Sequence, residues 1–275
     1  MMIDTIRFPF SGRTTFNILW IADAHYDSKY CDLNKLKKDM TEAQYIIVSG
    51  DFFDVMEGYF DRRRSGKDER FKKTLYINDL IDETVLFLEP FKDKIIGWNK
   101  GNHELAFEKY SQIDLTAEIF KRLKIDVPRH GMQGYYVLSF HNKASKHSYS
   151  TVIFHTHNTG FGGRRSKGAN AADILLGERP DADVIIGEHS HRGVIVPLKV
   201  EKVNKARKIK YITRYFVQGL MYKAADEDTK GMSFEIDKGR GLMPIGGINI
   251  NISILRRGAN TSNTASDVEV KVSYT

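Results

Sequence analysis

"YIIVSGDFFD", residues 45–54, runs from an apolar segment directly into a pair of aspartates. Tyr45 to Ser49 reads as a short buried strand, rich in β-branched residues and bounded by glycine. In α/β sheets the loops that leave strand ends project into a crevice, and functional side chains collect there. Asp51 and Asp54 therefore direct attention to the ends of the other strands.

Apolar runs with turn residues between them recur along the chain. Phe16 to Ala22, Lys94 to Trp98, Tyr135 to Phe140, Thr151 to Phe154 and Val184 to Ile186 read as further short strands. Between them, Asp32 to Thr41, Phe71 to Leu88, Asp114 to Leu123 and Ala169 to Leu176 show helical spacing of apolar residues. After His191 only strands are expected: Val194 to Val200, Tyr211 to Val217, Met232 to Ile236, Ile248 to Leu255 and Val268 to Ser273. Alternation followed by a run of strands predicts a mixed-sheet α/β domain, with two packed sheets and helices outside. The polar stretch "RGANTSNTAS" (257–266) divides residues 1–256, one catalytic domain, from a 257–275 segment holding a linker and a final edge strand or tail.

Composition is that of a globular chain with a sizeable core: 275 residues, 41% hydrophobic and 28% charged. The single cysteine, Cys31, cannot close an intrachain disulfide, and no signal-peptide pattern opens the sequence, so a cytoplasmic setting is expected. No run of 18 or more apolar residues exists to span a membrane. A net charge of +7 favours an anionic partner such as nucleic acid or a phosphate ester.

The strand ends carry "DAH" (Asp23, His25), "GDFFD" (Asp51, Asp54), "GNHE" (Asn102, His103, Glu104), "HTH" (His155, His157) and "GEHSH" (His189, His191). Six of the nine histidines lie in these five turns. A lone Asp after a strand is usually a turn former, and a lone His is usually structural. Five such motifs in series at strand ends are poorly explained by coincidence. Carboxylate, amide and imidazole donors without thiolate suit Mn²⁺, with Fe and Zn²⁺ as alternatives. Seven or eight ligands exceed what one ion needs, which points to two ions bridged by a carboxylate. Asp51 fits the bridge, with Gly50 letting the chain turn beside it.

In this order the motifs resemble those of the calcineurin-like metallophosphoesterases over residues 16 to 192. The resemblance implies a four-layer α-β-β-α sandwich of two mixed sheets flanked by helices, with the dinuclear centre at the strand ends. It further implies that Asp23, His25 and His191 bind one metal, that Asn102, His155 and His189 bind the other, and that Asp51 bridges. His103 would be the catalytic residue that stabilises the phosphate charge or protonates the leaving oxygen. Asp54 and Glu104 would orient imidazoles by accepting their distal N–H, and His157 would be an outer residue or a substrate contact. Two positions depart from the family pattern: Glu188 stands where a small residue is usual, and Thr156 where many relatives have glycine. His189 and His191 reach one site only if residues 188 to 192 are not helical.

Specificity is expected from the segments between motifs. "TGFGGRRSKG" (159–168) offers Arg164, Arg165 and Lys167 as phosphate contacts beside the metals. Within the family, "GDFFD" and the basic loops resemble the nuclease-like branch related to double-strand-break repair exonucleases. The arginine that follows G-N-H-E in protein phosphatases is replaced by Leu105. Phosphodiester hydrolysis, with nucleic acid as substrate, is thus the leading expectation. A small-molecule phosphomonoesterase and a non-catalytic metal-binding scaffold are the alternatives.

Overall fold

The computed structural model describes residues 1–55, 76–143, 148–157, 169–191, 193–203, 207, 209–223, 244–255 and 268–275. In chain order the first strands are β1 (Met2–Phe10), β2 (Thr14–Ile21), β3 (Tyr45–Val48), β4 (Ile95–Asn99), β5 (Arg129–His130) and β6 (Gln133–Asn142). The later ones are β7 (Ser148–Thr156), β8 (Val184–Gly187), β9 (Val194–Val203), β10 (Ile209–Gln218), β11 (Ile248–Ile254) and β12 (Val268–Tyr274). Among the described residues five α-helices accompany them: α1 (Leu33–Glu42), α2 (Tyr76–Leu88), α3 (Asn102–Ser111), α4 (Leu115–Leu123) and α5 (Ala169–Glu178).

The strands make two six-stranded sheets, ordered β1-β6-β7-β8-β10-β9 and β12-β11-β2-β3-β4-β5. Both are mixed. In the second, β2 to β5 are parallel, while β11 runs antiparallel to β2 and to β12. In the first, β7, β8 and β10 are parallel neighbours, while β6 runs antiparallel to β7 and β9 antiparallel to β10.

Period-two alternation in β2 separates the layers. Phe16, Ile18 and Trp20 point between the sheets, where they meet Phe140, Ile153, Val184, Ile250 and Ile252. Leu19 and Ile21 point outward to a second cluster with Leu36, Met40, Leu80 and Ile119 from α1, α2 and α4. On the far side, Phe154, Ile185 and Phe216 pack on Ala172, Leu175 and Leu176 of α5. The result is the four-layer α-β-β-α sandwich. Asp32 and Asp114 cap α1 and α4 by accepting from the Lys35 and Ala117 amides at 2.9 and 3.0 Å. β12 lies along the whole of β11, and Thr275 beyond it donates to Asp39 Oδ2 at 2.7 Å.

Three elements escape the apolar-run pattern, one of them the two-residue β5, which is too short to show any. β1 is an edge strand whose apolar residues alternate with charged ones, and it contains Pro9. α3 buries only Glu104, so it has no apolar stripe to betray it. The strand expected at Met232 to Ile236 and the 257–266 linker lie outside the described residues. Among the described residues no helix is long and apolar enough to cross a membrane.

Candidate metal centre

The turns that follow β2 and β3 continue side by side beyond their strands. Asp23 N–H donates to Gly50 O (2.9 Å), His25 N–H to Asp51 O (3.0 Å) and Tyr26 N–H to Phe52 O (2.7 Å). Asp23, His25 and Asp51 adopt left-handed backbone, with φ of 49°, 48° and 56°, as do His189 and His191 at 74° and 55°. Left-handed non-glycine residues cost of the order of 1 kcal/mol or more each, and they persist where surrounding structure over-determines them. Here the inter-turn hydrogen bonds do so. Gly50 itself does not need left-handed backbone. It is required because a Cβ there would lie 2.2 Å from His157 Nδ1, so close approach rather than turning is its function. Gly101 makes the same allowance for Asp51, whose Oδ1 would stand 2.1 Å from an added Cβ.

Two groups of donors converge. In one, His191 Nε2 is 3.1 Å from Asp23 Oδ1, with the His25 ring beside it. In the other, His157 Nε2 is 3.0 Å from Asp51 Oδ2, and His189 Nδ1 is 3.9 Å from the same oxygen. His157 Nε2 also lies 4.0 Å from Asp23 Oδ1, which joins the groups. Asp51 Oδ1 accepts from the His103 amide at the start of α3 (2.9 Å), a favourable place for a carboxylate, and Oδ2 is left facing the cluster.

Four buried atoms there lack a well-aligned hydrogen-bond partner: His25 Nε2, His157 Nε2, Asp51 Oδ2 and Asn102 Oδ1. Buried polar atoms are normally satisfied. Each imidazole is anchored through its other nitrogen, His25 Nδ1 by Asp54 Oδ1 and His157 Nδ1 by Glu188 Oε2, both at 3.0 Å. Carboxylate-anchored imidazoles with a second nitrogen aimed at a common centre are the arrangement of metal-ligating histidines. The donors present therefore fit divalent cations.

Charge is balanced accordingly. Burial works to raise the Asp23 carboxyl, but the charge and hydrogen bond of His191, with His157 beyond, hold it below the usual value. Asp51 is likewise opposed by burial and is held well below the usual value, mainly by His157. Burial, then Lys223, lowers His25 from 6.5 to about 4, which keeps it neutral. His157 goes the other way: burial is outweighed by Asp51 and Glu188, and its pKa is raised well above 6.5.

The structure brings together Asp23, His25, Asp51, Asn102, His103, His189 and His191. Residues 188 to 191 are not helical. The places expected of His155 and His157 are exchanged. β7 runs to Thr156, so His155 is still between the sheets. There its Nε2 meets His130 Nδ1 at 2.9 Å and its ring stacks on that of His130. His157 has passed the strand end and enters the cluster. Glu104 does not orient an imidazole; it accepts from the amides of Gly101 (2.8 Å), Phe53 (2.9 Å) and Asp51 (3.1 Å). Burial and the nearby Asp51 charge push it up to about 8. Asp54 does serve an imidazole, and His103 Nδ1 stands 3.4 Å from it. Arg164, Arg165 and Lys167 lie outside the described residues.

Three participants are not evident from the motifs. Asp27, two residues past His25, accepts from the amides of Asp54 (2.5 Å) and Val55 (2.9 Å) and from Tyr76 Oη, pinning the "GDFFD" turn. Lys223 reaches Asp54 at 3.2 Å from a segment with no motif of its own. Glu188 is visible in the sequence as a departure from pattern, but its contact with His157 is not.

A profile described as calcineurin-like phosphoesterase matches residues 16–193. Comparison with curated proteins returns no match. Among solved structures, the chain is similar to a metallophosphoesterase from Sphaerobacter thermophilus (12% identity, 87% of this chain and 84% of that one, TM-score 0.38). It is also similar to a predicted phosphoesterase from Streptococcus pneumoniae (12%, 88% and 84%, TM-score 0.32) and to a Thermotoga maritima protein (13%, 94% and 99%, TM-score 0.33). Likenesses at these TM-scores bear no weight beside the profile, which spans all five motifs and well over half of the chain. On that match the chain belongs to the calcineurin-like phosphoesterases.

Proposed function

We propose that this phosphoesterase holds two divalent cations and hydrolyses phosphodiester bonds, with nucleic acid as the substrate class. Asp23, His25 and His191 would hold one ion, Asn102, His157 and His189 the other, with Asp51 between them. The observation that carries this reading is the gathering of Asp23, His25 and His191, and of Asp51, His157 and His189, within ligand distance of one another at the strand ends, with His25 Nε2 buried there and free of a hydrogen-bond partner. An oxygen and imidazole donor set without thiolate favours Mn²⁺. When bound, such a pair lowers the pKa of water and draws charge from phosphoryl oxygens.

The chain's own groups supply the rest. His103 Nδ1 donates to the Asp54 carbonyl at 2.7 Å, since a carbonyl can only accept. This fixes the ring and leaves Nε2 on the Asp51 side, 3.6 Å from Oδ2, where as imidazolium it can give a proton to a leaving oxygen. Leu105 in place of an arginine, together with the net charge of +7, supports diester over phosphoprotein substrates.

Metal-free protein reconstituted with Mn²⁺ and offered a bis-aryl phosphodiester, an aryl phosphomonoester and labelled DNA tests this. Diester and DNA cleavage lost in Asp51→Asn and His103→Ala is the expected result. Cleavage of the monoester alone would replace the diester reading. Metal binding without turnover on any of the three would favour a scaffold.

A further inference from the structure

We infer that Glu188 is a positioning residue of the metal centre, whose carboxylate holds Nδ1 of His157 so that Nε2 of the same ring is presented as a cation ligand. This rests on the dinuclear reading above and adds a residue that the family's motifs do not supply. Glu188 stands between the end of β8 and His189, and its side chain is fully buried between the sheets.

The directions of its hydrogen bonds with Ser49, Trp20 and His157 follow from the chemistry of the partners. Tyr136 Oη donates to Asn99 Oδ1 (2.7 Å), Asn99 Nδ2 donates to Ser49 Oγ (2.9 Å), and the Ser49 hydroxyl hydrogen is thereby committed to Glu188 Oε1 (2.5 Å). Trp20 Nε1, a donor only, reaches the same oxygen at 2.8 Å. Oε1 thus has both lone pairs engaged. Oε2 stands 3.0 Å from His157 Nδ1, where a carboxylate oxygen accepts from a ring N–H. The hydrogen must therefore sit on Nδ1, which leaves Nε2 as the ring's outward atom, 3.0 Å from Asp51 Oδ2. Asp54 does the same for His25 on the other side of the site. Glycine at position 188 would leave His157 without this anchor.

Glu188→Gln tests the inference. The variant amide keeps an oxygen for Trp20 and Ser49 but turns an N–H toward Nδ1, driving the ring hydrogen onto Nε2, the ligand atom. In calorimetric titration of the metal-free full chain with Mn²⁺, the wild type is expected to bind two ions. The variant is expected to bind one normally and the other about 10- to 100-fold more weakly. Imidazole ¹⁵N NMR of the Zn²⁺-loaded wild type gives an independent readout that decides the matter even if the variant does not fold. His157 should show a hydrogen on Nδ1 and coordination through Nε2. Coordination through Nδ1, or two ions bound with wild-type affinity by a folded Glu188→Gln, would overturn the inference alone. Failure of the wild type to bind metal would overturn the dinuclear reading and this inference with it.

Discussion

His157 Nε2 and Asp51 Oδ2 stand 3.0 Å apart although their turns leave different sheets, β7 in one and β3 in the other. The candidate centre is therefore built across the sandwich, and its geometry depends on how closely the two sheets meet. Close packing between them, including Phe8, Phe16 and Phe140 with ring centroids within 5.4 Å of one another, sets that distance. At the rim the approach is completed by the absence of a side chain at Gly50.

Gly50→Ala should therefore impair the centre more than its size suggests. Its Cβ would fall 2.2 Å from His157 Nδ1, so the ring must leave either Glu188 or Asp51. We expect a stability loss of about 1–3 kcal/mol from overpacking and a weakening of one Mn²⁺ site by at least about tenfold. Gly177→Ala is the control, because an added Cβ in that exposed turn of α5 meets nothing within 4 Å. It should raise stability by about 0.5–1 kcal/mol and leave metal binding unchanged. Calorimetric titration and urea unfolding of both variants read the contrast; equal metal affinity in the two would refute it.

Much of this arrangement is legible in the sequence because most strands are short apolar runs and each candidate ligand follows one closely. The limits are physical. Whether His155 or His157 enters the site turns on where β7 ends, and strand ends are set by pairing with β6 and β8 rather than by local composition. Glu104 looks like an imidazole partner in "GNHE", yet as the third residue of α3 it is placed to satisfy backbone amides. Lys223 and Asp27 act through tertiary contact alone.

Removal of metal should leave stability sensitive to pH, with a sign that differs between residues. His25 is lowered from 6.5 to about 4, so between those values the unfolded chain takes up the proton first and stability falls on acidification. Glu104, raised from 4.5 to about 8, and His157, raised above 6.5, act oppositely: their stabilisation is present at low pH and lost as pH rises. Between pH 4.5 and 6.5 the Glu104 slope opposes that of His25 and of His155, which burial also holds well below 6.5. Above pH 6.5 only losses remain. Urea midpoints of the metal-free protein are thus expected to fall from pH 6.5 to 8. His25→Asn should remove part of the loss of stability on acidification between pH 6.5 and 4; an unchanged profile in that variant would contradict the neutral, buried His25.

Metal binding at neutral pH should release protons, and His157 is one source of them. In the metal-free protein the Asp51 carboxylate 3.0 Å away keeps His157 protonated, so a cation must expel a hydrogen from Nε2 before using that nitrogen. His25, held at about 4, is already neutral and releases none. Affinity at the site containing His157 should consequently rise about tenfold per pH unit until the elevated pKa is passed, then level off. Calorimetric titrations with Mn²⁺ in two buffers of different ionisation enthalpy count the protons directly. A count near zero at pH 7, or an affinity independent of pH, would show that His157 carries no displaceable proton, and with it the link between the Asp51 charge and the second ion would fall.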